Sequence, residues 1–100
     1  MDDSGPKEYP VDGTLDLHMF DPSDVKSVVE EYLLACRERG ILDVRIVHGK
    51  GTGALRETVH AVLGRTAWVA GFRLAGTGGG GWGATLVSLV PMSEDRPPVP

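Results

Sequence analysis

Val47-His48-Gly49-Lys50-Gly51-Thr52-Gly53-Ala54-Leu55-Arg56 is the stretch from which the fold can be read. An apolar run, Asp43 to His48, breaks into three alternating glycines and then resumes with helical spacing, which is the pattern of a strand, a tight loop and a helix start. Glycine reaches backbone angles closed to other residues and has no side chain to block an approaching group. The loop can therefore turn several N–H groups towards one point, beside Lys50 and at the positive end of the following helix, which suits an anion such as phosphate. Gly49, Lys50, Gly51, Thr52 and Gly53 become candidate phosphate contacts, with Arg56 as a second cation in the first helical turn and His48 as a proton carrier. The glycine spacing is G-x-G-x-G, and no G-x-x-x-x-G-K-[ST] occurs, so no nucleotide cofactor is expected. The loop alone fits an ordinary strand-to-helix turn carrying a solvated lysine better than it fits a phosphate site.

Upstream of this stretch, Thr14-Leu15-Asp16-Leu17-His18 alternates strictly. A strand there places Leu15 and Leu17 on one face and Asp16 and His18 on the other. Two residues apart on one face, Asp16 and His18 can share a metal, a water or a substrate, or can be no more than a solvated polar face. A helix follows, with Asp21 as N-cap, Pro22 at its first position, and Phe20 and Val25 spaced as a hydrophobic staple. Val25, Val28, Val29, Tyr32, Leu33 and Cys36 form its inner stripe and Gly40 its stop.

Downstream, a second helix is expected from about Ala54 to Leu63, with Leu55, Val59, Val62 and Leu63 inward and His60 at the boundary of that stripe. A strand from about Val69 to Leu74 and a last strand from Ala84 to Val90 flank a second glycine loop, Gly76 to Gly83. Trp82 within that loop must either fold back onto the sheet or offer its ring for stacking on a base.

The order is β-α-β-α-β-β. A strand–helix–strand passage implies a parallel crossover. With only two helices, and a first strand that alternates rather than running continuously apolar, the expected architecture is a two-layer α/β sandwich, a mixed four-stranded sheet with both helices on one face. Asp16, Arg45 and Arg73 are expected on the open face, where the two arginines either meet nucleic-acid phosphates or make cross-strand ion pairs.

One hundred residues make one domain. Residues 1–13 read as a flexible N-terminal arm, 14–91 as the folded domain, and 92–100 as a flexible proline-rich tail. The net charge of −4 conceals an uneven distribution: residues 1–31 carry nine acids against two lysines, whereas residues 32–92 carry seven bases against three acids. The glycine loop thus lies in the basic half. A single cysteine, an acidic N-terminus without an apolar core, and no apolar run near the ~20 residues of a membrane span point to a cytoplasmic location and no membrane partner.

Taken together, Leu15-Asp16-Leu17-His18, His48 to Arg56, and Gly80-Gly81-Trp82-Gly83-Ala84-Thr85 resemble the Smr (small MutS-related) domain over about residues 14–91. The resemblance implies a fold similar to the C-terminal domain of bacterial translation initiation factor three, and nucleic-acid binding with endonuclease or nicking activity in several members. It carries over Asp16 and His18 as the L-D-x-H motif, His48, Gly49, Lys50, Gly51 and Gly53 as H-G-x-G-x-G, and Gly80, Gly81, Gly83, Ala84 and Thr85 as the last motif. Met19 departs from it, since glycine is common after L-D-x-H.

The expectation is phosphodiester hydrolysis of DNA or RNA, branched or single-stranded. His18 or His48 would serve as acid or base, and the loop amides, Lys50 and Arg56 would hold the phosphate. Asp16 would orient a histidine or, with His18, bind Mg²⁺ or Mn²⁺. The alternative is a binding module without chemistry, in which the same loop grips backbone phosphate and Trp82 stacks on a base. The motifs require no dimer, and both a stand-alone protein and an excised domain fit the chain.

Overall fold

In the computed structural model, which describes residues 11–49, 53–76 and 81–92 (backbone alone at 81 and 82), the apolar periodicities become four strands and two helices. They are β1 Thr14–Asp16, α1 Val25–Glu38, β2 Asp43–Val47, α2 Ala54–Gly64, β3 Val69–Gly76 and β4 Gly81–Leu89. The sheet order is β1-β2-β4-β3. β1 runs parallel to β2, as the helical crossover requires, and β4 is antiparallel to both β2 and β3. The expected arm over 1–10, the expected tail over 93–100, and Lys50, Gly51, Thr52 and Gly80 lie outside the described residues.

The core lies between the sheet and the helices. Val25, Val29, Leu33 and Cys36 of α1 and Val59, Val62 and Leu63 of α2 meet Leu15, Val44, Ile46, Val87 and Leu89 from the strands. Burying each of these aliphatic side chains contributes about 1.5–3 kcal/mol. Tyr32 is buried with them, and its hydroxyl accepts the Gly13 N–H at 3.0 Å and donates to the Thr14 carbonyl at 3.0 Å. That anchors the entry to β1, and the Gly13 carbonyl already accepts from Arg45 N–H at 2.7 Å.

Four elements differ in extent from the sequence reading. Asp21 caps as expected, accepting from Ser23 N–H at 2.9 Å, but what it caps is a 3-10 turn at Pro22–Asp24, and the α-helix proper begins at Val25. β3 and β4 extend into the second glycine loop, pairing Gly76 with Gly81, because ladder hydrogen bonds need only backbone groups. Trp82 therefore belongs to a strand; how its ring is placed lies outside the description. β1 is shorter than its alternation suggests, for a reason that builds the site.

Candidate active site

Strict alternation carries a strand through His18, yet β1 stops at Asp16 and Leu17–Met19 form a 3-10 turn. Asp16 itself ends the strand. Its Oδ1 accepts the His18 backbone N–H at 2.9 Å, a local bond that competes with the sheet ladder. Leu15 and Leu17 remain buried, and Met19 is 80% exposed at the turn's end. The same Asp16 oxygen lies 2.8 Å from His18 Nδ1. The backbone N–H of His18, and after it the His18 ring, hold the Asp16 carboxyl below its ordinary range, with partial burial acting in the opposite sense. A carboxylate that accepts from Nδ1–H fixes the tautomer and leaves His18 Nε2 as the nitrogen able to exchange a proton.

The glycine loop meets that nitrogen. Gly49 has φ +82°, and a Cβ built on it would stand 2.9 Å from His18 Nε2. Only glycine combines this left-handed backbone with so close an approach. His48 N–H and Gly49 N–H both donate to the Gly83 carbonyl at 2.9 Å, which ties the loop to β4. At the start of α2 Gly53 has φ +90°, and Arg56 Nη2 would lie 2.7 Å from a Cβ there, so the guanidinium is folded back onto Gly53. The three sequence motifs thus converge at one end of the sheet.

His48 occupies a different environment from His18. It is 4% exposed and both ring nitrogens have partners: Nδ1 lies 3.1 Å from the Gly49 carbonyl and Nε2 lies 2.8 Å from Thr85 Oγ1. Thr85, fully buried, lies 2.8 Å from His60 Nε2 as well. The His60 ring in turn packs against Phe72, centroids 4.9 Å apart. Burial, followed by the nearby His48 and Arg56, pushes the His60 imidazole below its usual value. The sequence reading left His60 at a helix boundary and missed this link. One signal was available: Thr85 shares parity with Val87 and Leu89, and an inward-facing threonine needs a hydrogen-bond partner.

Arg45 and Arg73 do share the open face. Both stand opposite Leu86 in register, and Arg45 lies one two-residue step, about 7 Å along the strand, from the row Asp16–Val47–Ala84. A shallow groove between them is also lined by Thr14, Asp43 and Ser88. Among the described residues no group of three or more His, Cys, Asp or Glu side chains converges as a metal site. Asp16 and His18 provide two donors, with His18 Nδ1 committed to Asp16. That set fits a hard divalent cation only if one carboxylate is completed by water and substrate phosphate oxygens.

The Smr domain family model matches residues 15–90. The chain is 40% identical over 79 residues to Endonuclease MutS2 of Clostridium botulinum (strain Eklund 17B / Type B), covering 79% of this chain and 10% of that protein. It is 47% identical over 62 residues to Endonuclease MutS2 of Lachnoclostridium phytofermentans, covering 62% of this chain and 8% of that protein. The chain therefore spans about a tenth of the length of the curated relatives it matches. Among solved structures, the crystal structure of the Smr domain of Thermus thermophilus MutS2 has a TM-score of 0.73 at 37% identity, covering 78% of this chain and 98% of that one. YdaL, a stand-alone small MutS-related protein from Escherichia coli, has a TM-score of 0.67 at 24% identity, covering 84% and 69%, a likeness of fold.

Proposed function

Because the chain belongs to the Smr domain family, we propose that it binds DNA or RNA at the end of the sheet where Asp16, His18 and the glycine loop meet, and that it hydrolyses a phosphodiester bond there. The observation that carries this reading is the 2.8 Å Asp16–His18 contact, which leaves Nε2 directed at Gly49. A phosphate seated on the loop would lie beside that nitrogen.

His18 Nε2 takes a proton from water as the water oxygen bonds to phosphorus and the bond to the leaving oxygen breaks; the proton then passes to that oxygen or to solvent. Asp16 holds the ring and stabilises its cationic form. The loop amides, Lys50 and Arg56 offset the charge that develops on phosphate. His48 takes the loop-positioning role, since both its nitrogens are engaged and it is buried. Asp16 would hold a Mg²⁺ or Mn²⁺ ion, which would supply charge neutralisation at the phosphate. Arg45 and Arg73 give the backbone of a bound strand a path across the open face.

The test is incubation of the purified chain with supercoiled plasmid and with labelled single-stranded RNA, each with EDTA, Mg²⁺ or Mn²⁺, alongside Asp16→Ala. Product formed by the parent and lost in the variant establishes the nuclease, and the metal lanes decide what Asp16 binds. A second reading, binding without cleavage, draws on Met19, an exposed side chain next to His18 at the position where the resemblance to the Smr domain implies glycine. It predicts no product, but a salt-sensitive mobility shift weakened by Lys50→Ala.

A further inference from the structure

His60, Thr85, His48 and Gly49 form a continuous set of contacts, and counting protons gives it a direction. His48 Nδ1 faces the Gly49 carbonyl at 3.1 Å, and a carbonyl can only accept, so Nδ1 carries a proton. In the neutral ring Nε2 is then a lone pair, and the hydroxyl 2.8 Å away must donate to it. Thr85 has one hydroxyl proton. Once that is given to His48, the remaining contact, 2.8 Å from His60 Nε2, is satisfied only if His60 donates. The opposite assignment puts lone pair against lone pair at Gly49 or leaves a buried nitrogen unpaired, and a buried group without its partner is costly.

We propose that His60 and Thr85 are positioning residues for the glycine loop. Hydrogen bonds run one way, from His60 Nε2–H to Thr85 Oγ1, from its hydroxyl to His48 Nε2, and from His48 Nδ1–H to the Gly49 carbonyl. The chain anchors the Gly49 carbonyl to α2 from beneath the sheet. Gly83 holds the same residue's N–H from β4, so Gly49, against which His18 rests, is fixed on both sides. Phe72, packed on the His60 ring, limits the ring's rotation. The consequence for cleavage rests on the phosphodiesterase reading above; the consequence for loop order does not.

Two readouts test this on the full chain. Long-range ¹H–¹⁵N spectra, recorded above the histidine titration range, report which ring nitrogen carries each proton; the proposal requires Nδ1–H for His48 and Nε2–H for His60. Amide hydrogen exchange at Gly49 reports loop order. Thr85→Val, isosteric but without the hydroxyl, and His60→Leu should each speed that exchange at least about tenfold, whereas Thr85→Ser and His60→Gln, which keep a donor, should restore it. If the chain cleaves, Thr85→Val should lower kcat about 10- to 100-fold with KM changed less than about twofold. His48 in the other tautomer, or Gly49 exchange unchanged in both disrupted variants, would overturn the proposal. A parent that cleaves no substrate, yet shows these tautomers and this exchange pattern, refutes the hydrolysis and leaves the anchor established. Should Thr85→Val fail to fold, the His60→Leu and His60→Gln pair decides alone.

Discussion

Gly49→Ala perturbs the molecule in two ways that can be separated. The backbone at φ +82° becomes strained, and the new Cβ would stand 2.9 Å from His18 Nε2. Left-handed backbone costs an alanine roughly 1–2 kcal/mol. Gly40, at the end of α1, supplies the matched control: it has φ +78°, and a Cβ there meets nothing within 4 Å. Gly40→Ala should therefore pay the backbone cost alone, a fall in Tm of about 4–16 °C for a domain of this size. The steric contact adds little to that in stability. The His18 side chain is 61% exposed, so its ring can swing aside instead of compressing, and an exposed polar contact such as Asp16–His18 is worth at most about 1 kcal/mol. Catalysis is a different matter, because a displacement of about 1 Å at the proton-transferring nitrogen is enough to cost about 100-fold in rate. The two variants should thus melt within about 1 kcal/mol of each other by circular dichroism, while only Gly49→Ala loses plasmid or RNA cleavage. Equal cleavage by Gly49→Ala and the parent would refute the argument that His18 Nε2 and the loop form one site. A Gly49→Ala stability loss more than about 3 kcal/mol beyond that of Gly40→Ala would refute the argument that the ring yields freely.

Tyr32→Phe removes the hydroxyl that bridges Gly13 and Thr14, stranding the Gly13 N–H, and should cost about 1–3 kcal/mol in urea denaturation; a shift under about 0.3 kcal/mol would show that water replaces it. Leu33→Ala, at a fully buried position between α1 and the sheet, should cost about 2–5 kcal/mol by the same measurement, and less than 1 kcal/mol would mean the helix repacks. His60 is held below its ordinary value of 6.5, so between its folded and unfolded pKa the unfolded chain binds more protons. Its contribution is complete above 6.5 and is lost as pH falls below it; thermal melts should show Tm declining on acidification through that region, with the slope reduced in His60→Gln.

Much of the site was legible in one dimension because its determinants are local. The glycines between an apolar strand and an apolar helix mark the passage from β2 to α2, and the inward stripe of α1 was readable from Val25 to Cys36 by its period. Alternation also placed Leu15 and Leu17 inward and Asp16 and His18 outward. It did not reveal that Asp16 would fold onto its own neighbour and end the strand, because hydrophobic period does not register competition between a carboxylate and the sheet ladder for one N–H. The extension of β3 and β4 through glycines was hidden for a related reason: backbone pairing leaves no signature in side-chain pattern.

The elements, their order, the two-layer packing and the three motifs were all readable in one dimension, since each follows from periodicity, turn chemistry or spacing along the chain. That the two motif histidines are unlike emerges from the folded arrangement alone. His18 stands exposed on Asp16 with one nitrogen directed at the loop, while His48 is buried with both nitrogens engaged, and its partners arrive from residues 37 positions away at Thr85 and, through that hydroxyl, from His60. The physical reason is that a hydrogen-bond partner for a buried group is chosen by the crossing of α2, β2 and β4, which no local pattern records.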